Sequence, residues 1–181
     1  MACDISKGRT LPCSDAVGGL DAVYFINTTD PIGAITYSTG DNSDMIDTAA
    51  GSPTLYKYDL KGTSTLNQVM TTSRENGTTF VEQTLVLNLP VMSAISHKQL
   101  KLLAYGNPQV VVKTNNNDFF LVGLEFGCDV TTINANSGAA MGDMTGYEVT
   151  LVAREKTFAN FFEAKSEAAL LTDIGGSVVT G

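Results

Sequence analysis

The chain reads as mainly β: an antiparallel β-sandwich or split barrel with one flanking α-helix over about 93–105, and long loops. Three observations predict this. Apolar residues recur at every second position over several stretches, most fully from Phe120 to Val130. Asn, Asp and Gly stand between those stretches, where tight turns need them. One window, just after Pro90, changes to a helical period.

Taken in order, "DAVYFIN" (21–27) and "GAITYST" (33–39) are β-rich segments whose neighbours the pattern leaves open. "LYKYDLKG" (55–62) puts Tyr56, Tyr58 and Leu60 on one face. "FVEQTLVLNL" (80–89) opposes Val81, Leu85, Leu87 and Leu89 to Glu82, Thr84 and Asn88. Such alternation describes a strand with one wet face. Asn76-Gly77 suits a tight turn that folds 60–73 back on 78–89.

Pro90 ends that strand, and Ser93 is placed to cap a helix. The helix "AISHKQLKLLAY" should stop at Gly106, a C′ residue, with Pro108 beyond. Val91, Met92, Ile95, Leu102 and Leu103 form its apolar stripe, so it should cover a sheet, with His97, Lys98 and Lys101 pointing away.

"VVVKTNNNDFFLV" (110–122) is a second hairpin around an Asn-rich tip. The alternation 120–130 is one strand, or two strands joined by a bend at Gly123. "GYEVTLVARE" (146–155) sets Tyr147, Val149, Leu151 and Ala153 against Glu148, Thr150 and Arg154. A second helix is expected over 158–171, ending before Gly175-Gly176. Residues 38–54 and 131–146 show no regular pattern and are expected to be long loops; the second should be surface material that orders on assembly.

With 181 residues the chain suits one domain, 1–181, with room for an N-terminal extension at 1–20 and a C-terminal one at 158–181. A net charge of −8, with 11 scattered Lys and Arg, argues against tight nucleic-acid binding, which needs clustered cations. The polar N-terminus lacks an apolar signal core, and no apolar run reaches membrane-span length, so cytosolic synthesis without a membrane anchor is the expectation. In that setting Cys3 and Cys13 are expected reduced, although they are spaced to bridge, and Cys128 is expected as a small buried hydrophobe.

Catalytic and metal patterns find little support. The one histidine, His97, has no positioned partner in sequence. Asp41, Asp44 and Asp47 lack the Gly and distal Glu of a calcium loop and read as a solvated acidic cluster. No cofactor or metal is expected, and enzyme is the least supported class.

The order of elements then becomes distinctive: "ENGTTFVEQTLVLNLPVMSAISHKQLKLLAYG", "VVVKTNNNDFFLVGLEFGCDVTT", "SGAAMGDMTGYEVTLVAREKTFANFF". Over about the last 110 residues this resembles the tail tube (major tail) proteins of tailed bacteriophages. The points of resemblance are the "FVEQTLVLNLP" strand leading into the helix, the "DFFLVG" strand after a polar tip, and "GYEVTLVARE" followed by "FANFF". The resemblance implies subunits that join edge to edge in hexameric rings, which stack into a virion tube carrying DNA. Its partners would be further copies of itself and other tail proteins, with the host cytoplasm as the place of assembly. DNA would pass without specific binding, along a wall for which Glu82, Thr84, Asn88, Glu148 and Thr150 are the lumen-facing candidates. Alternation by itself fits an ordinary solvent-facing sheet equally well. A capsid decoration or tail-end (baseplate) component is the alternative role, and a standalone carbohydrate-binding module a weaker one.

Overall fold

A computed structural model describes residues 7–10, 13–40, 43–61 and 63–180. The strands are β1 (Leu20–Ile26), β2 (Ile35–Tyr37), β3 (Ile46–Ala49), β4 (Thr54–Asp59), β5 (Thr65–Ser73) and β6 (Thr78–Pro90). After helix α1 (Ala94–Leu103) come β7 (Gln109–Thr114), β8 (Phe119–Val122), β9 (Asp129–Asn136), β10 (Gly146–Glu155) and β11 (Asn160–Phe161). Helix α2 (Glu167–Ile174) and β12 (Ser177–Thr180) complete the order.

Two sheets face one another. The larger runs β11-β8-β7-β1-β4-β12, the smaller β5-β6-β10-β9, and β2 and β3 form a separate ladder. Neither large sheet closes on itself, so the sandwich form of the expectation is the one observed. Among the described residues the strand ladders are antiparallel except β12 on β4, and an isolated bridge between Ile46 and Phe162 is also parallel.

β1 is buried on both faces because it lies in the middle of the larger sheet. Val23 and Phe25 meet Leu85, Leu87, Val149 and Leu151 of the smaller sheet in one core. Ala22, Tyr24 and Ile26 point the other way, into a second core with Ile46, Phe162, Leu170 and Ile174. The molecule therefore has three layers: the smaller sheet, the larger sheet, then α2 with the β2–β3 ladder.

Both predicted hairpins form. β5 folds back on β6 across a four-residue turn in which Gly77 takes φ 63°. β7 and β8 enclose the Asn-rich tip, where Asn117 has φ 62°.

Several expectations need correction. Residues 120–130 are two strands, but the alternation does not survive between them: Gly123 (φ 71°) and Gly127 (φ 73°) bend the chain, and Phe126 is 62% exposed. A side chain at Gly123 would meet Cys128 Sγ at 2.7 Å, so the bend is tight. Both patternless stretches contain strands. Ile46 is fully buried and seats β3 against β2, while Val130 and Ile133 pack β9 onto β10. Pairing to a neighbour, not local pattern, makes these segments strands.

The remaining loop, 137–145, is folded by its own bonds: Asp143 Oδ2 accepts from the amides of Ala139 (2.9 Å) and Ala140 (2.8 Å). Those bonds hold the Asp143 carboxyl below its usual range.

Helix α2 starts nine residues later than expected, at Glu167 with Ser166 as N-cap, and ends at Gly175 in the left-handed region (φ 67°). The "FANFF" stretch is instead extended: Phe162 enters the second core and Phe161 sits 4.2 Å, centroid to centroid, from Phe120. The segment expected as a C-terminal extension is thus built into the body through β11, α2 and β12.

Candidate assembly surface

The smaller sheet presents an uncovered face. Pairing places Glu148 opposite Asn88, Thr150 opposite Val86, Thr84 opposite Val152 and Glu82 opposite Arg154. All five sequence candidates therefore lie together: Glu82, Thr84, Asn88 and Thr150 are half-buried, and Glu148 is exposed. The same register adds Thr65 and Asn67 from β5, and Thr132 and Asn134 from β9, which sequence reading missed. The β9 pair was hidden because its strand is visible only through its partner.

This face is mostly hydroxyl and amide. Glu82 Oε2 accepts from Arg154 Nε at 3.1 Å, so the one cation among the described β6 and β10 residues of the face is paired with an acid. Asn88 Nδ2 donates to Thr63 O at 2.7 Å, and Ser64 Oγ takes the Asn88 amide at 3.0 Å. These bonds tie the approach to β5 against the sheet.

The two edges of the smaller sheet are β5, nine residues long, and β9, eight. Neither has a second strand partner among the described residues. β9 begins beside a carboxylate clasp: Glu155 Oε1 accepts the amides of Glu125 and Phe126, both at 3.0 Å. Glu155 is 6% exposed, and burial pushes its carboxyl above the usual range against the pull of those amides. Lys156 Nζ meets Glu125 at 2.7 Å just outside. Cys128, fully buried nearby, has its thiol pushed up to about 12 by burial, which suits the expected inert hydrophobe. Cys3 and Asp41, and with them the question of a Cys3–Cys13 bridge and of the full acidic cluster, lie outside the described residues.

Helix α1 departs most from expectation. Ser93 caps it, with Oγ accepting the Ser96 amide at 3.0 Å. Gly106 does not take a left-handed C′ conformation; the end tightens through Tyr105 N to Leu102 O and Gly106 N to Leu103 O, both 3.2 Å. Only Leu100 is buried, with Leu103 partly so, while Val91 (73%), Ile95 (75%) and Leu102 (58%) are exposed. The helix reaches the core through Leu100 and Leu103 only, so its predicted stripe is largely wet. His97, expected to point away, lies 3.4 Å from Tyr147 Oη through Nδ1. A groove of about 780 Å³ runs between α1 and the β1–β4–β12 side, lined among others by Tyr56, Tyr58, Ile95, Leu102 and Val179.

Among the described residues no three His, Cys, Asp or Glu side chains gather as a metal site, and no helix is long and apolar enough to cross a membrane. No protein-family model, curated protein or solved structure matches this chain.

Proposed function

We propose that the chain is a non-enzymatic virion structural protein whose copies join edge to edge into rings, stacked as a phage tail tube through which DNA passes. One observation carries the reading: a four-stranded antiparallel sheet with two edges of matched length at opposite sides and an uncovered, weakly charged polar face.

The strand count supports ring closure. Within one copy β5 and β10 run one way, β6 and β9 the other. Setting β9 of one copy against β5 of a rotated copy continues the antiparallel alternation without a fault. A head-to-tail contact of this kind closes when the rotation divides a circle, and closure pairs both long edges of the smaller sheet, which would otherwise invite aggregation. Six copies would give about 24 strands, and with ~4.8 Å spacing and a tilt near 40° a backbone diameter of roughly 45–50 Å. The polar face would then line the bore.

The chemistry of that face suits passage over binding. Each free Lys or Arg would add a phosphate contact and a sticking point; Arg154 is occupied by Glu82, and Glu148 repels phosphate. Thr84, Asn88 and Thr150 offer neutral, exchangeable hydrogen bonds.

Negative-stain microscopy of the purified protein over a range of concentrations tests the reading. Rings and open-ended tubes are expected. A closed oligomer that never stacks would favour a decoration or tail-end role, and a permanent monomer would remove the proposal.

A further inference from the structure

The smaller sheet carries an overhang. β10 ends at Glu155, opposite Val81, so among the described residues the last three rungs of the β5–β6 hairpin have no third strand: Thr71 with Phe80, Thr72 with Thr79, Ser73 with Thr78. A two-stranded ribbon in water is marginally stable by itself. On this one Phe80 is 41% exposed, and Val69 (51%) and Met70 (45%) are exposed on the two rungs next to it. Val69 and Phe80 lie on the face of Glu82 and Met70 on the opposite face, so the apolar side chains stand at the base of a tip whose other residues are Thr and Ser.

At the other end of β6 stands α1 with its exposed Ile95 and Leu102 and the groove beside it. β6 is thirteen residues long, roughly 43 Å of extended chain, so the tip of a copy cannot reach its own groove. Charges also stand at both ends: the turn offers Arg74 and Glu75, the groove offers exposed Asp59, 3.6 Å from Lys57 Nζ, and α1 carries exposed Lys98 next to Ile95 and Leu102.

We propose that the overhanging tip of the β5–β6 hairpin docks into the groove beside α1 of a second copy of this chain. Phe80 and Val69, on one face of the hairpin, fill the apolar floor formed by Ile95, Leu102 and Tyr56. Arg74 approaches Asp59, and Glu75 approaches Lys98. Because tip and groove are different surfaces at opposite ends of one strand, the contact repeats along the strand axis without closing. It rests on the ring reading for its lateral neighbours, and supplies the axial contact which that reading leaves unassigned.

The test combines microscopy with cross-linking in a Cys3→Ser, Cys13→Ser background, where the remaining Cys128 is buried. Phe80→Glu and Ile95→Asp change exposed side chains at the two halves of the contact, and thermal melts establish that each variant folds. Either variant should leave single rings while tube length falls by about tenfold or more, because every ring-to-ring junction repeats the weakened contact once per subunit. A Thr72→Cys protein mixed with a Gln99→Cys protein should form an intersubunit disulfide. Full-length tubes from both variants would overturn the proposal, as would wild-type tubes without that disulfide. If no rings form at all, the ring reading fails; the axial contact then stands if the disulfide forms and falls if it does not.

Discussion

Arg154 Nε lies 3.1 Å from Glu82 Oε2 across the register of β10 and β6, and so the open face of the smaller sheet holds its cation beside an acid. Both side chains are substantially exposed, so the pair has little effect on folding. Arg154→Ala is expected to change stability by no more than about 0.5 kcal/mol in urea denaturation. Its importance is to the charge of the surface. Glu82→Lys combined with Glu148→Lys should make the assembled protein retain duplex DNA in a gel-shift assay at low salt and release it as salt rises. Equal retention by wild type and variant would remove the link between this face and DNA passage.

The Glu155 clasp separates charge from hydrogen bonding. Gln at this position keeps an acceptor for the Glu125 and Phe126 amides and removes a buried charge; Ala leaves both amides unpaired. Glu155→Ala should cost about 2 kcal/mol or more, and Glu155→Gln should match or exceed wild type near neutral pH. The pH dependence follows from the raised carboxyl: the folded state holds this proton more tightly than the unfolded chain. The contribution of Glu155 is therefore greatest at low pH and declines as pH rises through the folded value. Melts of both variants between pH 4 and 8 check the sign.

Glu167 behaves oppositely. Tyr24 Oη donates to it at 2.7 Å and Lys57 Nζ meets it at 2.9 Å, and these bonds, Tyr24's first, hold its carboxyl below the usual range. Its stabilisation is present above the unfolded value, about 4.3, and is lost as pH falls through the lower folded one. Tyr24→Phe should cost about 1–2 kcal/mol at pH 7, with the deficit shrinking in acid. A deficit that does not change with pH would show that Tyr24 acts by packing only.

Gly146 begins β10 where backbones crowd: an added Cβ would lie 2.2 Å from Leu89 O. Gly146→Ala should cost about 1–3 kcal/mol through forced displacement of the β6 pairing. An unchanged melting temperature would mean that the start of β10 is loose.

How far the chain can be read without coordinates depends on where each element finds its partner. The β5–β6 and β7–β8 hairpins were legible because Gly77 and Asn117 sit at local turns. The five candidates Glu82, Thr84, Asn88, Glu148 and Thr150 were legible as polar faces of alternating strands, and pairing brings them onto one surface. β3 and β9 were not, because Ile46, Val130 and Ile133 are sparse apolar anchors in polar surroundings, given meaning only by distant partners. The apolar stripe of α1 was read correctly as apolar and placed wrongly as buried. The tip overhang was invisible, because nothing in residues 71–80 reveals that β10 stops short of them.

Amide hydrogen exchange, measured residue by residue on dilute monomer and on assembled protein, tests the central claim most directly. The outward-facing amides of β5 and β9 should exchange rapidly in the monomer and become protected together on assembly, while those of β6 and β10 are protected in both. Protection of both edges already in the monomer, or edges that stay unprotected in the assembled protein, would contradict a sheet completed by a neighbouring copy.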